Sequence, residues 1–403
     1  MPNATAADVQ LASRLARNAV DSLPEGALAE KLAIARSEAR PLRVKLGIDP
    51  TAPDIHLGHA VVLGKLREFQ EEGHRVVLIV GDFTARVGDP SGRSALRPIL
   101  SEAEIEANAE TFKAQALTIL DADPQLLEVR RNSEWLDMGM AELLSLLRET
   151  TVAQLLERDD FSKRFSAHEP ISLLELLYPL LQGFDSVAVR ADVELGGTDQ
   201  KFNLLLGRDI QRAHGQPEQA ILTMPILVGV DGHRKMSKSL GNQIGVTDPP
   251  QEMFGKTMSI PDEAMDEFYR LLLPATAAAQ EGAPLAPMER KRALARALIS
   301  WLHSPEEAAA GEAHFDRVVV DKEAPEEIPE ARFQGQDGVV HLPGLIAEEF
   351  GISRSEARRL IDTGGVTLGD EPVGPGGYDV PAQRAEGRVL KVGRRRYRRL
   401  RAG

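Results

Sequence analysis

The sequence predicts an α/β fold, in which a mainly parallel sheet is covered by helices, followed by a helical segment and a small C-terminal unit. Between Leu42 and about Val230, short β-branched runs alternate with longer segments of helical period. A stretch rich in proline and alanine, residues 274–287, then interrupts this alternation. Beyond an acidic segment at residues 322–338, the chain ends in a strongly basic tail.

Each element follows from its local pattern. Ser101 with Glu104, and Ser172 with Glu175, have the spacing of capping boxes at two helix starts. Pro179 is expected to kink or restart the helix that contains it. The predicted strands are Arg43–Ile48, Val76–Val80, Val187–Leu195 and Ala220–Val230. The predicted helices are Ala60–Gln70, Ser101–Leu120, Ser172–Phe184, Gln200–His214 and, after the Pro/Ala stretch, Met288–His303.

Composition excludes several classes of protein. The 403 residues are 42% hydrophobic and 27% charged, which is enough apolar content for large cores and too much for general disorder. With a net charge of -13, the protein surface as a whole cannot attract nucleic acid or an anionic membrane. Any such contact must therefore be confined to a local basic region. The absence of cysteine excludes disulfides, iron–sulfur clusters, thiolate zinc sites and a cysteine nucleophile.

The N-terminal twenty residues predict an amphipathic helix and lack the uninterrupted apolar core of a signal peptide. No apolar run approaches the roughly 18 to 20 residues that span a bilayer. We therefore expect a soluble protein without membrane contact, in the reducing cytoplasm.

A motif with two histidines follows the first predicted strand. Residues 47–59 read GIDPTAPDIHLGH and lead into a helix. At such a crossing of a parallel sheet, helix N–H groups face the edge where ligands bind. His56 and His59 can share one face, with Gly58 leaving room for a ligand. Solvent-facing histidines are the plain alternative, and no third ligand of obvious spacing supports a metal pair.

A second motif, KMSKSLGN at residues 235–242, follows the Ala220–Val230 strand. Its two lysines and two serine hydroxyls beside a glycine form a loop suited to a polyphosphate. Taken alone, a pair of lysines in a loop is usually a solvated surface feature. The two motifs occur in this order, each after a strand, which strengthens the functional interpretation.

HLGH and KMSKS together resemble the two signature sequences of class I aminoacyl-tRNA synthetases. Their surroundings, from about Leu42 to Asn242, resemble those of bacterial tyrosyl-tRNA synthetases in particular. The resemblance implies a Rossmann-type catalytic domain over residues 1–240 and a helical domain over 241–321. It also implies ATP and L-tyrosine as substrates, Mg²⁺ with ATP, no protein-bound metal, tRNA(Tyr) as partner, and a homodimer formed through an insertion at about 123–168.

The resemblance also assigns roles by position. The residues matching those that hold the departing pyrophosphate are Thr51, His56, Lys235, Lys238 and Ser239, with Arg93 and Arg97 as further basic positions. The residues matching those that line the adenylate are Gly47, Asp49, His59, Gly197 and Asp199, and Lys238 is counted with them. The residues matching those that bind tyrosine are Asp89, Tyr178 and Gln182 near the ammonium group, Asp185 at the phenol hydroxyl, and Gln200 at the carboxyl group.

Each of these segments also has a plain structural interpretation. Asp89 begins a DPSG sequence typical of a tight turn, and no Walker loop follows it. Tyr178, Gln182 and Asp185 form one stripe on a helix otherwise rich in leucine and phenylalanine, and the period alone favours a solvent face. The GGTDQ sequence ending at Gln200 is equally a turn with an aspartate helix cap.

One position departs from part of the family. Some members carry a tyrosine two residues before Gly47, as a second partner of the substrate phenol, whereas this chain has Lys45. Another branch shares the string RVKLG seen here, so the substitution is interpreted as a subfamily trait. Asp185 is then the principal reader of the hydroxyl group.

The C-terminal unit, residues 339–403 after the linker at 322–338, resembles a small RNA-binding module named after a ribosomal protein. Its SRSEARRLI segment places several arginines on one helical face, and Tyr397 lies within the basic tail. A solvated basic face is the alternative, but on an acidic chain such a local concentration of positive charge favours phosphate contact. The candidate RNA-binding residues are Arg354, Arg358, Arg359, Lys391, Arg394, Arg395 and Arg396, with Arg398, Arg399 and Arg401 in the same tail.

Two other functions stay open at this stage. Another class I enzyme, such as a tryptophanyl synthetase or an adenylate-forming relative without tRNA, is opposed by Asp185 and by the C-terminal unit. A non-catalytic RNA-binding protein on the same scaffold is opposed by the intact histidine and lysine motifs.

Overall fold

A computed structural model describes residues 2–51, 54–90, 100–273, 286–320, 328–333, 338–369, 371–393 and 396–403. The chain divides into two compact units. The first comprises Met1–Pro249 and Lys256–Ser304, and the second comprises Pro250–Gly255 and Pro305–Gly403. The boundaries of the catalytic, helical and RNA-binding domains stay predictions.

The first unit is built on a six-stranded sheet in the order β1-β6-β5-β2-β3-β4. All neighbouring strands are parallel except β1, which pairs antiparallel with β6. This confirms the predicted fold class, a parallel α/β sheet. The strands are β1 Asp21–Leu23, β2 Arg43–Ile48, β3 Arg75–Val80, β4 Leu127–Arg131, β5 Val193–Gly197 and β6 Ala220–Met224.

Helices flank this sheet and continue beyond it. The helix Leu57–Glu71 connects β2 to β3, and the helix Lys201–Ala213 connects β5 to β6. Their buried leucine, valine, isoleucine and phenylalanine side chains contribute to the core, together with the buried apolar residues 76–80 of β3. The other helices before residue 304 are Ala6–Leu15, Ala27–Ser37, Thr84–Val87, Glu102–Ala116, Ser133–Leu136, Met140–Leu146, Val152–Leu155, Asp159–Ser166, Leu173–Ala188, Pro250–Met258, Met265–Leu272 and Pro287–Leu302.

Two predicted strands are wrong in part. The Val187–Leu195 segment begins as the last turn of a helix that ends at Ala188, and the strand starts only at Val193. Its β-branched valines are accommodated in the helix because Val187 and Val189 are buried in the core. The last predicted strand stops at Met224, because Pro225 has no N–H to continue the ladder.

Both predicted capping boxes are present. The Ser101 N–H donates to Glu104 Oε2 over 2.8 Å, and the Glu104 N–H donates to Ser101 Oγ over 3.3 Å. The Ser172 N–H likewise donates to Glu175 Oε2 over 2.9 Å. The expected restart at Pro179 is wrong, because one helix, Leu173–Ala188, runs through it.

The second unit contains a five-stranded sheet, β10-β9-β12-β13-β7, and a separate β11-β8 pair. Part of the predicted linker, Glu330–Phe333, forms β7 and pairs in parallel with β13. The strands are β7 Glu330–Phe333, β8 Val339–His341, β9 Val366–Leu368, β10 Glu371–Pro372, β11 Asp379–Pro381, β12 Val389–Val392 and β13 Arg396–Ala402. The helices are Pro305–Phe315, Leu342–Phe350, Arg354–Asp362 and Ala382–Ala385, with a π-helical turn at Asp316–Val320.

The core of this small unit is apolar and contiguous. Leu342, Ile346, Ile361, Leu390 and Leu400 are fully buried in one cluster. The helix Arg354–Asp362 is capped by Ser353, whose hydroxyl accepts the Glu356 N–H over 3.1 Å. No helix among the described residues is long and apolar enough to cross a membrane.

Candidate active site

The predicted site residues gather at the carboxyl edge of the first sheet. β2 pairs with β3 on one side and with β5 on the other, so the chain connections leave these central strands in opposite directions. Such a reversal opens a crevice beyond the strand ends, and in parallel α/β folds ligands bind there. Asp49 follows β2, and Thr198 follows β5.

Asp49 is the centre of a hydrogen-bond cluster at this edge. Its Oδ1 accepts the Thr84 hydroxyl over 2.6 Å, and its Oδ2 accepts the Tyr178 hydroxyl over 2.9 Å. Gly81 is required beside it, since a Cβ there would lie 2.2 Å from Asp49 Oδ1. Burial, followed by the charge of Asp49, raises the pKa of Tyr178 well above its ordinary value, so the phenol stays a donor.

Side-chain amides join three of the five positions predicted to bind an amino acid, which are Asp89, Gln182 and Gln200. Gln200 Nε2 donates to Asp89 Oδ2 over 2.9 Å. Asn203 Nδ2 donates to Gln182 Oε1 over 2.7 Å and to Gln200 Oε1 over 3.0 Å. Asn203 is 1% exposed, and its two hydrogen bonds fix both glutamine side chains. Arg158 completes the cluster, donating to Asn203 Oδ1 over 3.1 Å and lying 3.6 Å from Asp89 Oδ1.

Asp185 lies at the base of the crevice and not on a solvent face. Its side chain is buried, and its Oδ1 accepts the Trp135 indole N–H over 2.8 Å. Burial raises the pKa of Asp185 to about 7, opposed by Lys45 and by the Trp135 hydrogen bond. The other oxygen, Oδ2, lies 4.0 Å from where a Cβ on Gly47 would stand, so this glycine keeps the space above the carboxylate open.

The two histidines stand together at the start of the helix Leu57–Glu71. Their rings stack with centroids 4.0 Å apart, and the His56 N–H donates to His59 Nδ1 over 3.3 Å. Burial lowers the pKa of His56 to about 3 and that of His59 to about 4. Both rings are therefore neutral at pH 7 and offer hydrogen-bonding nitrogens at the helix start.

The KMSKS loop is held by Asn242, which is 3% exposed. Its Oδ1 accepts the Ser237 N–H over 2.9 Å, and its Nδ2 donates to the Lys235 carbonyl over 3.1 Å. Met236 is buried beneath the loop, and both lysine side chains are exposed above it. The Asn242 amide thus fixes the loop backbone while leaving the cations accessible.

The histidine and lysine motifs are physically connected. The Leu57 N–H donates to the Ile244 carbonyl, and the Val246 N–H donates to the Ile55 carbonyl, each over 2.9 Å. Lys238 Nζ forms an ion pair with Asp54 Oδ2. Lys235 also acts electrostatically on both sides of the crevice, because its charge lowers the pKa of His56 and opposes the burial that raises the pKa of Asp199.

In the GGTDQ segment the backbone lies close to neighbouring side chains, which is why glycine is found there. A Cβ on Gly197 would lie 2.7 Å from Asp199 Oδ1. Thr198–Gln200 forms a short 3-10 turn that leads into the helix Lys201–Ala213. Thr51 is half-buried and lies two residues after Asp49, beyond the end of β2. Arg93 and Arg97 lie outside the described residues.

The candidate RNA-binding residues lie in the second unit. Arg354, Arg358 and Arg359 are exposed on one helix, and Arg396 is exposed at the start of β13. Lys391 is half-buried over the Tyr397 ring, 5.4 Å from its centroid. Arg394 and Arg395 lie outside the described residues.

Several residues of the site escape motif analysis. Trp135, Thr84, Arg158 and Asn203 are single polar or aromatic residues in otherwise ordinary helices and loops, and only the fold brings them to the crevice. Of these residues, Asn203 alone could have been suspected from the sequence. It lies three residues after Gln200, and a helix places such a pair on one face. Within the described ranges, no group of three histidine, aspartate or glutamate residues has metal-site geometry.

A family model described as tRNA synthetases class I (W and Y) matches residues 37–314, more than half of the chain. The chain belongs to this family. The class I synthetase membership confirms the resemblance carried by HLGH and KMSKS. The matched residues contain every element of the crevice.

Curated relatives match this class I synthetase over nearly its whole length. It is 49% identical to the tyrosine–tRNA ligase of Moorella thermoacetica, covering 96% of this chain and 94% of the relative. It is 47% identical to the tyrosine–tRNA ligase of Thermotoga maritima, covering 96% of each. The alignments therefore extend into the second unit.

Solved structures agree on the fold. A tyrosyl-tRNA synthetase from Archaeoglobus fulgidus, solved with L-tyrosine, superposes with a TM-score of 0.61 at 25% identity, covering 75% of this chain and 99% of that one. A tyrosyl-tRNA synthetase from Aeropyrum pernix gives a TM-score of 0.59 at 19% identity, covering 77% and 97%.

Proposed function

We propose that this class I synthetase activates L-tyrosine with ATP and transfers it to the 3′ end of tRNA(Tyr). The observation that carries the choice of tyrosine is the buried Asp185 carboxylate at the base of the crevice, in a chain 49% identical to a tyrosine–tRNA ligase. A carboxylate in that position accepts a phenol O–H, whereas an indole ring offers only an N–H at a different place.

The first step is attack of the tyrosine carboxylate oxygen on the α-phosphorus of ATP. The bond to pyrophosphate breaks, and tyrosyl-adenylate forms. In the second step a ribose hydroxyl of the tRNA attacks the adenylate carbonyl and AMP leaves. No side-chain nucleophile is required, so the protein acts by positioning and by stabilising charge.

The amino acid is held by the helix Leu173–Ala188 and its neighbours. Asp89 and the Tyr178 hydroxyl, with Gln182, surround the ammonium group in a region made electronegative by Asp49. Asp185 accepts the phenol hydrogen through its carboxylate, whose Oδ1 also accepts the Trp135 indole N–H. Gln200, which Asn203 holds in place, faces the reacting carboxyl group.

The nucleotide lies across the strand ends. Gly47, Asp49, His59, Gly197 and Asp199 line the adenylate, since glycine at two of these positions lets the nucleotide approach the backbone. The pyrophosphate is held by Lys235, Lys238, Ser239, His56 and Thr51, joined by Arg93 and Arg97. Mg²⁺ enters with the ATP phosphates as part of the substrate.

A tRNA charging assay tests the whole reaction. Purified protein, ATP, labelled tyrosine and bacterial tRNA are expected to give acid-precipitable label that is lost when ATP is omitted. Label that never enters tRNA, from protein shown to be folded, would contradict the proposal. Because ATP and tRNA are cytoplasmic in bacteria, we also propose a cytoplasmic location.

We propose that the exposed arginines of the helix Arg354–Asp362 contact tRNA phosphates. Replacing Arg354, Arg358 and Arg359 together by glutamine is expected to lower kcat/KM for tRNA charging by about tenfold or more, since each lost phosphate contact weakens binding. Tyrosine activation without tRNA should not change. Arg212→Gln, at an exposed arginine of the helix Lys201–Ala213 in the first unit, is the control. Normal charging by the triple variant would refute this role.

We further propose a homodimer formed by the segment within and beside residues 123–168. Large apolar side chains are exposed there, with Met140 70% and Leu173 79% exposed. They adjoin a cavity of about 310 Å³ lined by apolar residues that include Leu143 and Leu174. Neighbouring exposed apolar side chains of this kind are typical of a protein interface, and a second copy of the same face would cover them.

Leu173→Asp is expected to convert the dimer to monomer, because it places a charge in an apolar interface. Sedimentation velocity at micromolar concentration measures the mass. Val9→Asp, at an apolar residue of the N-terminal helix that is 50% exposed, is the control and should stay dimeric. A wild-type protein that sediments as a monomer would contradict the proposal.

A further inference from the structure

A lysine and a glutamate are buried side by side beneath the amino-acid crevice. Lys45 on β2 and Glu194 on β5 are register partners in adjacent parallel strands and point to the same face of the sheet. Lys45 is 0% exposed and Glu194 1%, and Lys45 Nζ lies 2.8 Å from Glu194 Oε1. Neither residue has a role in the reaction described above.

The lysine uses all of its donors. Besides Glu194, Nζ donates to the Gln182 carbonyl over 2.9 Å and to the Ser186 hydroxyl over 2.8 Å. The Ser186 hydroxyl in turn donates to Glu194 Oε2 over 3.1 Å. The ion pair is therefore hydrogen-bonded to one turn of the helix Leu173–Ala188, from Gln182 to Ser186. Asp185 lies on this turn.

The same pair also reaches the two side chains proposed to face the amino acid. Gln182 Nε2 lies 3.5 Å from Glu194 Oε1. The charge of Lys45 lowers the pKa of Asp185, whereas Glu194 raises it, and the Trp135 and Asn132 side chains donate hydrogen bonds to the same carboxyl. These are the charged and polar groups that β2, β5 and the Ser133–Leu136 region present to Asp185.

A buried ion pair is a poor source of stability. Taking both charges out of water costs several kcal/mol, and apolar residues of equal volume often serve as well. β2 otherwise buries Val44 and Leu46, so an apolar residue at position 45 would suit the strand. The energetics therefore favour a role in positioning.

We propose that Lys45 and Glu194 are positioning residues for tyrosine selection, holding the 182–186 turn so that Gln182 and Asp185 face the substrate. Both residues are inaccessible, so they act through that turn and do not touch tyrosine. This inference rests on the proposed tyrosine activation.

The test is pyrophosphate exchange with tyrosine and with phenylalanine, measured from pH 6 to pH 9, for Lys45→Met, Glu194→Gln and the double variant. Lys45→Met is expected to raise the KM for tyrosine by about tenfold with a smaller change in kcat, since it removes hydrogen bonds of a charged group. Discrimination against phenylalanine should fall by a similar factor. The pH at which tyrosine binding improves should move upward, because Asp185 loses the neighbouring cation.

The double variant removes both charges of the Lys45–Glu194 pair, so neither is left buried without its partner, and it is expected to fold even if a single variant does not. It should fold and still discriminate poorly. Lys65→Met removes another buried lysine, whose Nζ lies 2.6 Å from Glu68 Oε2 within the helix Leu57–Glu71, and should keep wild-type selectivity.

The outcomes separate the two levels of the proposal. A wild-type protein without tyrosine-dependent exchange would overturn the proposed function itself. An active wild type, together with a folded double variant whose tyrosine KM and phenylalanine discrimination are unchanged, would overturn the positioning role alone.

Discussion

Replacing Lys238 by alanine is expected to slow adenylate formation by about a hundredfold or more, with tyrosine binding nearly unchanged. The reason is that pyrophosphate gains negative charge as it departs, and a cation aimed at that charge stabilises the transition state far more than the ground state. Lys235→Ala should behave alike. Rapid-quench single turnovers give the rate, and equilibrium titration gives the tyrosine affinity.

The structure makes this a sharp test, because the loop backbone is fixed independently of the lysine side chains by Asn242. Loss of either cation should therefore leave the loop in place. Lys291→Ala is the matched control, since this lysine forms an ion pair with Asp262 on a helix outside the crevice. Equal single-turnover rates for Lys238→Ala and wild type would refute the pyrophosphate role.

The second large effect is expected at Asp185. Asp185→Ala should lower discrimination between tyrosine and phenylalanine by about ten- to a hundredfold, because phenylalanine no longer leaves a buried carboxylate without its partner. The change should appear as a raised KM for tyrosine and an improved kcat/KM for phenylalanine. Steady-state exchange with each amino acid measures both.

A matched control is available at the opposite edge of the sheet. Asp192 is also buried and forms an ion pair with Arg40 at the amino end of β5. Asp192→Ala should therefore lower stability without altering selectivity. If folded Asp185→Ala still rejected phenylalanine as wild type does, another residue would have to read the hydroxyl group.

Sequence reasoning located the crevice because its signals are local. The bounds predicted for β2 are those observed, and because each of the two motifs follows a strand, both are expected at one edge of a parallel sheet. The strand order that brings β5 beside β2 is a long-range property, and no local pattern carries it. The prediction of a strand over Val187–Leu195 was wrong at its start because burial of the last helix turn, which is also a long-range property, outweighs β propensity.

The polar stripe on the helix Leu173–Ala188 shows the limit most clearly. Its period indicates a solvent face, yet Tyr178 and Asp185 are buried, because the stripe is turned toward the strand ends and satisfied by Asp49 and Trp135. Only the resemblance to a known family assigned the stripe to a substrate. The Lys45–Glu194 pair depends on the register of two strands 149 positions apart in sequence, which no local pattern reveals.

The most direct test of the central claim is amino-acid-dependent exchange of labelled pyrophosphate into ATP, with tyrosine, phenylalanine and tryptophan assayed in parallel. The proposed chemistry predicts rapid exchange with tyrosine and exchange near background with the other two. Rapid exchange with tryptophan would identify the other specificity of the family. No exchange with any of the three, from folded protein, would contradict tyrosine activation and favour a non-catalytic RNA-binding role.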